Sequence, residues 1–164
     1  MNYLINYSNK SIDDLIKEVN ITDGIPLKDL KIRDLTHYQG QPIRSGIGVY
    51  IFKSKTRCYY VGNCVARCFA ERIPSHFDLR KVGWFNSLLK HIINKELLEY
   101  EITDEGLHRA AEFVFQNLSL VLINFEYDEN YEFQKIKINN LERIMGDALK
   151  PYNTKFRKIK ELPI

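Results

Sequence analysis

Two short apolar, β-prone runs, residues 49–53 and 58–61, flank the polar stretch Ser54-Lys55-Thr56-Arg57. That pattern predicts a β-hairpin with its turn at the polar stretch. Alternate residues of a strand share a face, and opposed residues lie within side-chain reach. Tyr50 and Tyr60 are therefore placed to converge. Downstream, Val65, Phe69 and Ile73 recur at helical spacing and predict a helix from about Val65, with Asn63 as its cap. Trp84, Leu88 and Ile92 step by four and predict a second helix to about Lys95. Leu107, Ala110, Ala111 and Val114 predict a third behind a capping Asp104. Ser119 to Phe125 is nearly all apolar and reads as a buried strand. Asn139 is expected to cap a last helix that stops near Lys150, before Pro151.

Upstream, Asn9-Lys10-Ser11 precedes an amphipathic run from Ile12 to Val19, a helix with Ser11 as N-cap. Asp23-Gly24, Pro26 and Gly40-Gln41-Pro42 then punctuate irregular structure. The expected fold is α+β: a small three-stranded antiparallel sheet flanked by helices, with an N-terminal helical and irregular extension. Residues 1–45 form that extension. Residues 46–157 form the main domain and 158–164 a tail.

A chain of 164 residues, 45% hydrophobic and 12% aromatic, is large enough to bury a core and too apolar to be disordered. No apolar run approaches ~18 residues, so no membrane span is expected. The N-terminus lacks the basic-then-apolar signature of a secretory signal. Cys58, Cys64 and Cys68 have no matching downstream pair or histidine cluster. Reduced thiols in a cytoplasmic protein are expected rather than a zinc site.

Charge is distributed unevenly. Residues 53–95 carry nine Lys/Arg against two acids, whereas residues 96–147 carry four against twelve. Residues 150–160 add five basic residues and no acid. If the two basic segments share a face, that face suits a phosphate backbone. The alternative is a solvated charged surface opposite an acidic one.

Four further residues carry candidate chemistry. On a helix from Val65, Arg72 falls about 60° from the centre of the buried side and Arg67 about 160° away. Arg72 can thus reach the sheet, and its fixed fork suits phosphate oxygens. His76 lies one turn on, past Pro74, which should end or kink the helix. It reads as a site residue or as a solvated surface histidine. Glu142 lies about 90° off the packed face formed by Leu141, Ile144, Met145 and Ala148, suiting a cleft edge. Asn139-x-x-Glu142 also fits a capping box. Asn153 follows the helix-stopping Lys150-Pro151-Tyr152.

Taken in order, Gly48-Val49-Tyr50, Tyr60-Val61-Gly62, Arg72 with His76, Leu141-Glu142-Arg143 and Lys150-Pro151-Tyr152-Asn153 resemble the GIY-YIG nuclease family. Val49 and Val61 stand where the family name has isoleucine. The resemblance spans about residues 46–157, roughly two thirds of the chain. It implies a divalent-metal-dependent endonuclease that hydrolyses phosphodiester bonds, most readily in double-stranded DNA. By resemblance Tyr50 is the leading general base for the attacking water, alone or through a network with Tyr60. Glu142 would hold a single Mg²⁺ or Mn²⁺, Arg72 would grip the scissile phosphate, and a metal with Arg72 nearby would favour the phenolate. Asn153 would orient the site or contact DNA. Gly62 would allow close backbone packing.

The chain ends about a dozen residues after Pro151, so a compact restriction-type or phage enzyme is expected rather than one with an appended DNA-binding domain. Residues 1–45 and 77–117 would then supply recognition, in a homodimer if the site is palindromic. The alternatives are a non-catalytic nucleic-acid-binding module on the same scaffold, an RNA nuclease, or an unrelated α+β protein.

Overall fold

The computed structural model describes residues 1–8 and 10–162. The elements run β1 (Leu4–Tyr7), α1 (Ile12–Ile21), β2 (Ile25–Pro26), a 3₁₀ turn (Ile32–Leu35), β3 (His37–Tyr38), β4 (Gln41–Pro42), β5 (Ile47–Lys53), β6 (Cys58–Cys64), α2 (Phe69–Ser75), α3 (Ser87–Glu96), α4 (Asp104–Asn117), β7 (Ser119–Phe125) and α5 (Tyr131–Leu149). The fold is α+β. No helix among the described residues is long and apolar enough to cross a membrane.

The hairpin forms as its pattern predicts, with β5 antiparallel to β6 and Tyr50 opposite Gly62. β7 pairs antiparallel with the other side of β5. The sheet is nonetheless five-stranded and mixed, not three-stranded and antiparallel. β1 pairs parallel with the far side of β7, and the two-residue β2 pairs antiparallel with it. β7 is therefore interior to the sheet, which accounts for its unbroken apolar sequence. β3 and β4 form a separate two-stranded ribbon.

Period-2 alternation sorts the side chains of the sheet into two cores. Tyr50, Phe52, Tyr60, Leu120 and Leu122 face α2, α3 and α4. Val49, Ile51, Val61, Val121 and Ile123 face α1 and α5. Ser11 caps α1 as expected, its hydroxyl accepting from the Asp14 amide at 3.1 Å, a contact worth about 1 kcal/mol. Asn9 lies outside the described residues, as do Pro163 and Ile164 of the expected tail.

Four expected helix starts move. Asn63 belongs to β6, and α2 begins only at Phe69 behind Cys68, so Val65 is not helical. Trp84 lies outside α3 and is 91% exposed; its four-residue step to Leu88 is coincidental. Thr103 rather than Asp104 caps α4, accepting from the Gly106 amide at 3.1 Å. Asn130 caps α5, accepting from the Phe133 amide at 3.1 Å. Asn139 is thus mid-helix, and its capping box with Glu142 does not exist.

Candidate active site

The hairpin geometry brings Tyr50 and Tyr60 onto one face, Tyr60 opposite Phe52 and diagonal to Tyr50. Their rings stack with centroids 6.3 Å apart and planes 14° apart. Space for the Tyr50 ring comes from Gly62, because a methyl placed there would overlap Cζ and the hydroxyl of Tyr50. The glycine serves close approach of a side chain rather than of backbone. The two phenols do not hydrogen-bond to each other. Tyr60 shares a hydrogen bond with the Ser87 hydroxyl at 3.0 Å, whereas Tyr50 bonds His76 Nε2 at 2.7 Å.

His76 reaches that position because α2 ends one residue after Pro74. Its backbone amide still bonds the Ile73 carbonyl at 3.2 Å, turning the side chain toward the sheet. The imidazole is fully buried and sits edge-on to Tyr50, Phe52 and Tyr60. The surface-histidine reading is therefore excluded. Burial pushes its pKa well below the usual 6.5, and the nearby Arg72 charge adds to the effect. Its Nδ1 has no hydrogen-bond partner among the described residues.

Tyr50 also has no exposed surface. Burial raises its pKa well above 10.0, and the charges of Tyr60, Cys64 and Glu142 raise it further, outweighing the opposing pull of Arg72. Arg72 alone therefore does not offset the burial that favours the neutral phenol. Arg72 is half-buried, with its guanidinium carbon 5.9 Å from the Tyr50 ring centroid and 4.9 Å from that of Phe85. It donates to the Ser75 hydroxyl at 2.8 Å, and no carboxylate neutralises it among the described ion pairs. Arg67 points outward over the other side of the site, 5.1 Å from the Phe85 centroid.

Glu142 approaches from the opposite face. α5 packs with Val61 and the α1 side of the sheet, and the Glu142 carboxylate accepts from the Asn63 amide at 2.6 Å. Asn63 donates also to Asn139 at 3.0 Å. Burial lifts the Glu142 carboxyl to about 7 despite the Asn63 hydrogen bond and the charges of Arg157 and Arg72. Arg72 therefore acts on Tyr50, His76 and Glu142 alike, across the edge strand β6. Arg157 belongs to the second basic segment, so both basic segments reach Glu142. A cavity of about 350 Å³ between α5 and the residues that follow it is lined by Glu132, Lys135, Asn139, Arg157, Lys158 and Lys160.

Asn153 stands apart from this cluster. Its side-chain oxygen accepts from the Val61 amide at 3.1 Å and its amide donates to the Val61 carbonyl at 2.7 Å. It closes the open edge of β6. Asn63, which the pattern of the chain assigns to a helix cap, and Ser87, which it passes over, are further polar members of the site. Asn63 had a signal: asparagine within a β-prone run is a poor strand former and invites a reason for its presence.

Among the described residues no cluster of three or more His, Cys, Asp or Glu side chains is arranged to hold a metal. One carboxylate among amide groups fits a hard, hydrated cation such as Mg²⁺, which keeps several waters and takes its other ligands from substrate phosphates. It does not fit zinc. Comparison with protein-family models, with curated proteins and with solved structures finds no match for this chain.

Proposed function

We propose that this chain is a divalent-metal-dependent endonuclease of the GIY-YIG type, hydrolysing phosphodiester bonds in DNA. One observation carries the reading: the buried Tyr50–His76 pair lies against Tyr60 and beside an unneutralised Arg72, with a single carboxylate, Glu142, in electrostatic reach. On this reading the antiparallel strands β7, β5 and β6 are the sheet of the catalytic module, and β1 and β2 are additions to it. A Mg²⁺ or Mn²⁺ held by Glu142 would supply Lewis-acid stabilisation of the phosphate and of the leaving 3′ oxygen.

The protein groups divide the remaining work. Arg72 leaves Ser75 to bind the scissile phosphate, sharing the charge that builds on its oxygens. Tyr50, closed to solvent here, must meet the attacking water as Arg72 moves to the phosphate; it then takes the water's proton as its own phenol proton passes to His76 Nε2, so no free phenolate is needed. The imidazolium formed is costly because His76 is buried beside a cation. Neutralising Arg72 with phosphate lowers that cost, so substrate binding itself makes the relay competent. Tyr60, tied to Ser87, holds the Tyr50 ring in place. Asn153 keeps β6 in register, a structural part rather than a contact to DNA.

The burial of Tyr50 and His76 also favours a second reading, a module that binds nucleic acid through Arg72 without cutting it. Incubation of the protein with supercoiled plasmid, with and without Mg²⁺, separates the two. Metal-dependent fragments or nicks support the nuclease, and discrete fragments favour a restriction-type enzyme. Binding without cleavage of plasmid or RNA supports the module.

A further inference from the structure

The loop between α2 and α3 carries an aromatic side chain into solvent from a fixed base. Trp84 is 91% exposed, Val82 76% and Phe85 43%. Exposed apolar tips on a slack loop are common, but this loop is fastened. The buried Asn86 amide donates to the carbonyls of Asp78 and Arg80, at 2.6 and 2.9 Å. Lys90 Nζ donates to the Gly83 carbonyl at 2.9 Å. The Asp78 carboxylate takes two bonds from the Arg80 guanidinium, at 2.9 and 2.8 Å. A methyl on Gly83 would stand 2.8 Å from both Asn86 Nδ2 and Asp78 Oδ2, so the turn under Trp84 is packed to contact.

Phe85, next along the chain, is the link to the candidate site. The guanidinium carbons of Arg67 and Arg72 lie 5.1 and 4.9 Å from its ring centroid. Arg72 in turn sits 5.9 Å from the Tyr50 centroid. Phe85 thus joins the loop that carries an exposed indole and the basic Lys81 to two guanidinium groups held on its own ring. Flat aromatic faces combined with cations are what binding of nucleobases and their phosphates requires.

We propose that Trp84 stacks on a nucleobase close to the phosphate held by Arg72. The substrate class is nucleic acid presenting an unpaired base there: single-stranded, mismatched, or duplex opened at the cut. The proposal rests on the reading of Arg72 as a phosphate ligand. An anionic lipid surface is the rival partner for Trp, Val and Lys together. The coupling of the loop through Phe85 to the buried tyrosine site favours the nucleic acid.

Trp84 is the single tryptophan of the chain, so intrinsic emission reports on it alone. The full-length Glu142→Gln protein, with no metal added, is titrated in turn with a short single-stranded DNA, inorganic polyphosphate and phosphatidylglycerol vesicles. Stacking predicts quenching by the DNA and not by polyphosphate or vesicles. Trp84→Ala, with an unchanged melting temperature, is expected to weaken DNA binding roughly 5- to 100-fold. Bound DNA, seen by anisotropy of an end label, with silent tryptophan emission or undiminished affinity in Trp84→Ala overturns the inference. So does a response to vesicles alone. Plasmid cleavage by the wild-type protein is scored separately: cutting with a silent tryptophan removes this inference and keeps the nuclease, and quenching without cutting does the reverse.

Discussion

The Tyr50 hydroxyl and His76 Nε2 lie 2.7 Å apart where neither side chain has any exposed surface. Burial holds the phenol protonated and the imidazole unprotonated. The proposed relay requires the phenol O–H to donate to Nε2, which puts the imidazole proton on Nδ1. Nitrogen-detected NMR of the free protein should show His76 as the neutral Nδ1–H tautomer at pH 6.5, the midpoint of an ordinary histidine. The unfolded chain takes up a proton near that pH and the folded one does not, so stability falls as pH drops below it. His76→Gln should flatten this part of the pH–melting curve.

Tyr50→Phe removes the donor and leaves Nε2 buried without a partner. A loss of about 1–3 kcal/mol in unfolding free energy is expected, together with loss of cleavage. Tyr60→Phe, by contrast, gives up only a partly buried bond to Ser87. Chemical denaturation of the two variants side by side should rank Tyr50→Phe as the less stable.

At Gly62 the expected change is larger than its single methyl suggests. Gly62→Ala pushes into the Tyr50 ring, which Tyr60, Phe52 and His76 enclose. Overpacking of this kind costs about 1–3 kcal/mol. It should also displace the phenol from His76, so that turnover falls more than stability. Melting and cleavage measured on the same preparation check this.

Glu142 has the opposite pH signature to His76. Its carboxyl is raised from 4.5 to about 7, so between those values the unfolded chain has lost a proton that the folded one keeps. Its contribution to stability is complete below 4.5 and is lost as pH rises to about 7. Glu142→Gln should therefore gain melting temperature relative to wild type across that window and hold the gain above it. Mg²⁺ requires the carboxylate, so its apparent affinity, measured by calorimetry with DNA bound, should weaken as pH falls below about 7.

Local pattern carried the hairpin, β7, α1 and α4 to within a few residues, because each is a run whose periodicity is set by its own neighbours. It did not carry β1 or β2. Four residues and two residues hold too little pattern, and their pairing is decided by β7, more than ninety residues away along the chain for either strand. The first turns of α5 were hidden by the polar Glu132, Lys135 and Lys137, although Asn130 three residues before Phe133 was a readable cap. Tyr50, Tyr60 and Arg72 were placed on one side by strand and helix geometry. The direct partners were not legible: His76 with Tyr50, Asn63 with Glu142 and Asn153 with Val61 each join segments that only tertiary packing brings together.

Single-turnover cleavage of supercoiled plasmid decides whether Glu142 and the tyrosine–histidine pair together hydrolyse a phosphodiester. Wild type and Glu142→Gln are compared at saturating protein with Mg²⁺, with binding to the same DNA measured in parallel. Glu142→Gln is expected to bind DNA within a few-fold of wild type and not to cut it. Equal cleavage rates in the two proteins, or no cleavage by either under conditions where both bind, would contradict that joint role.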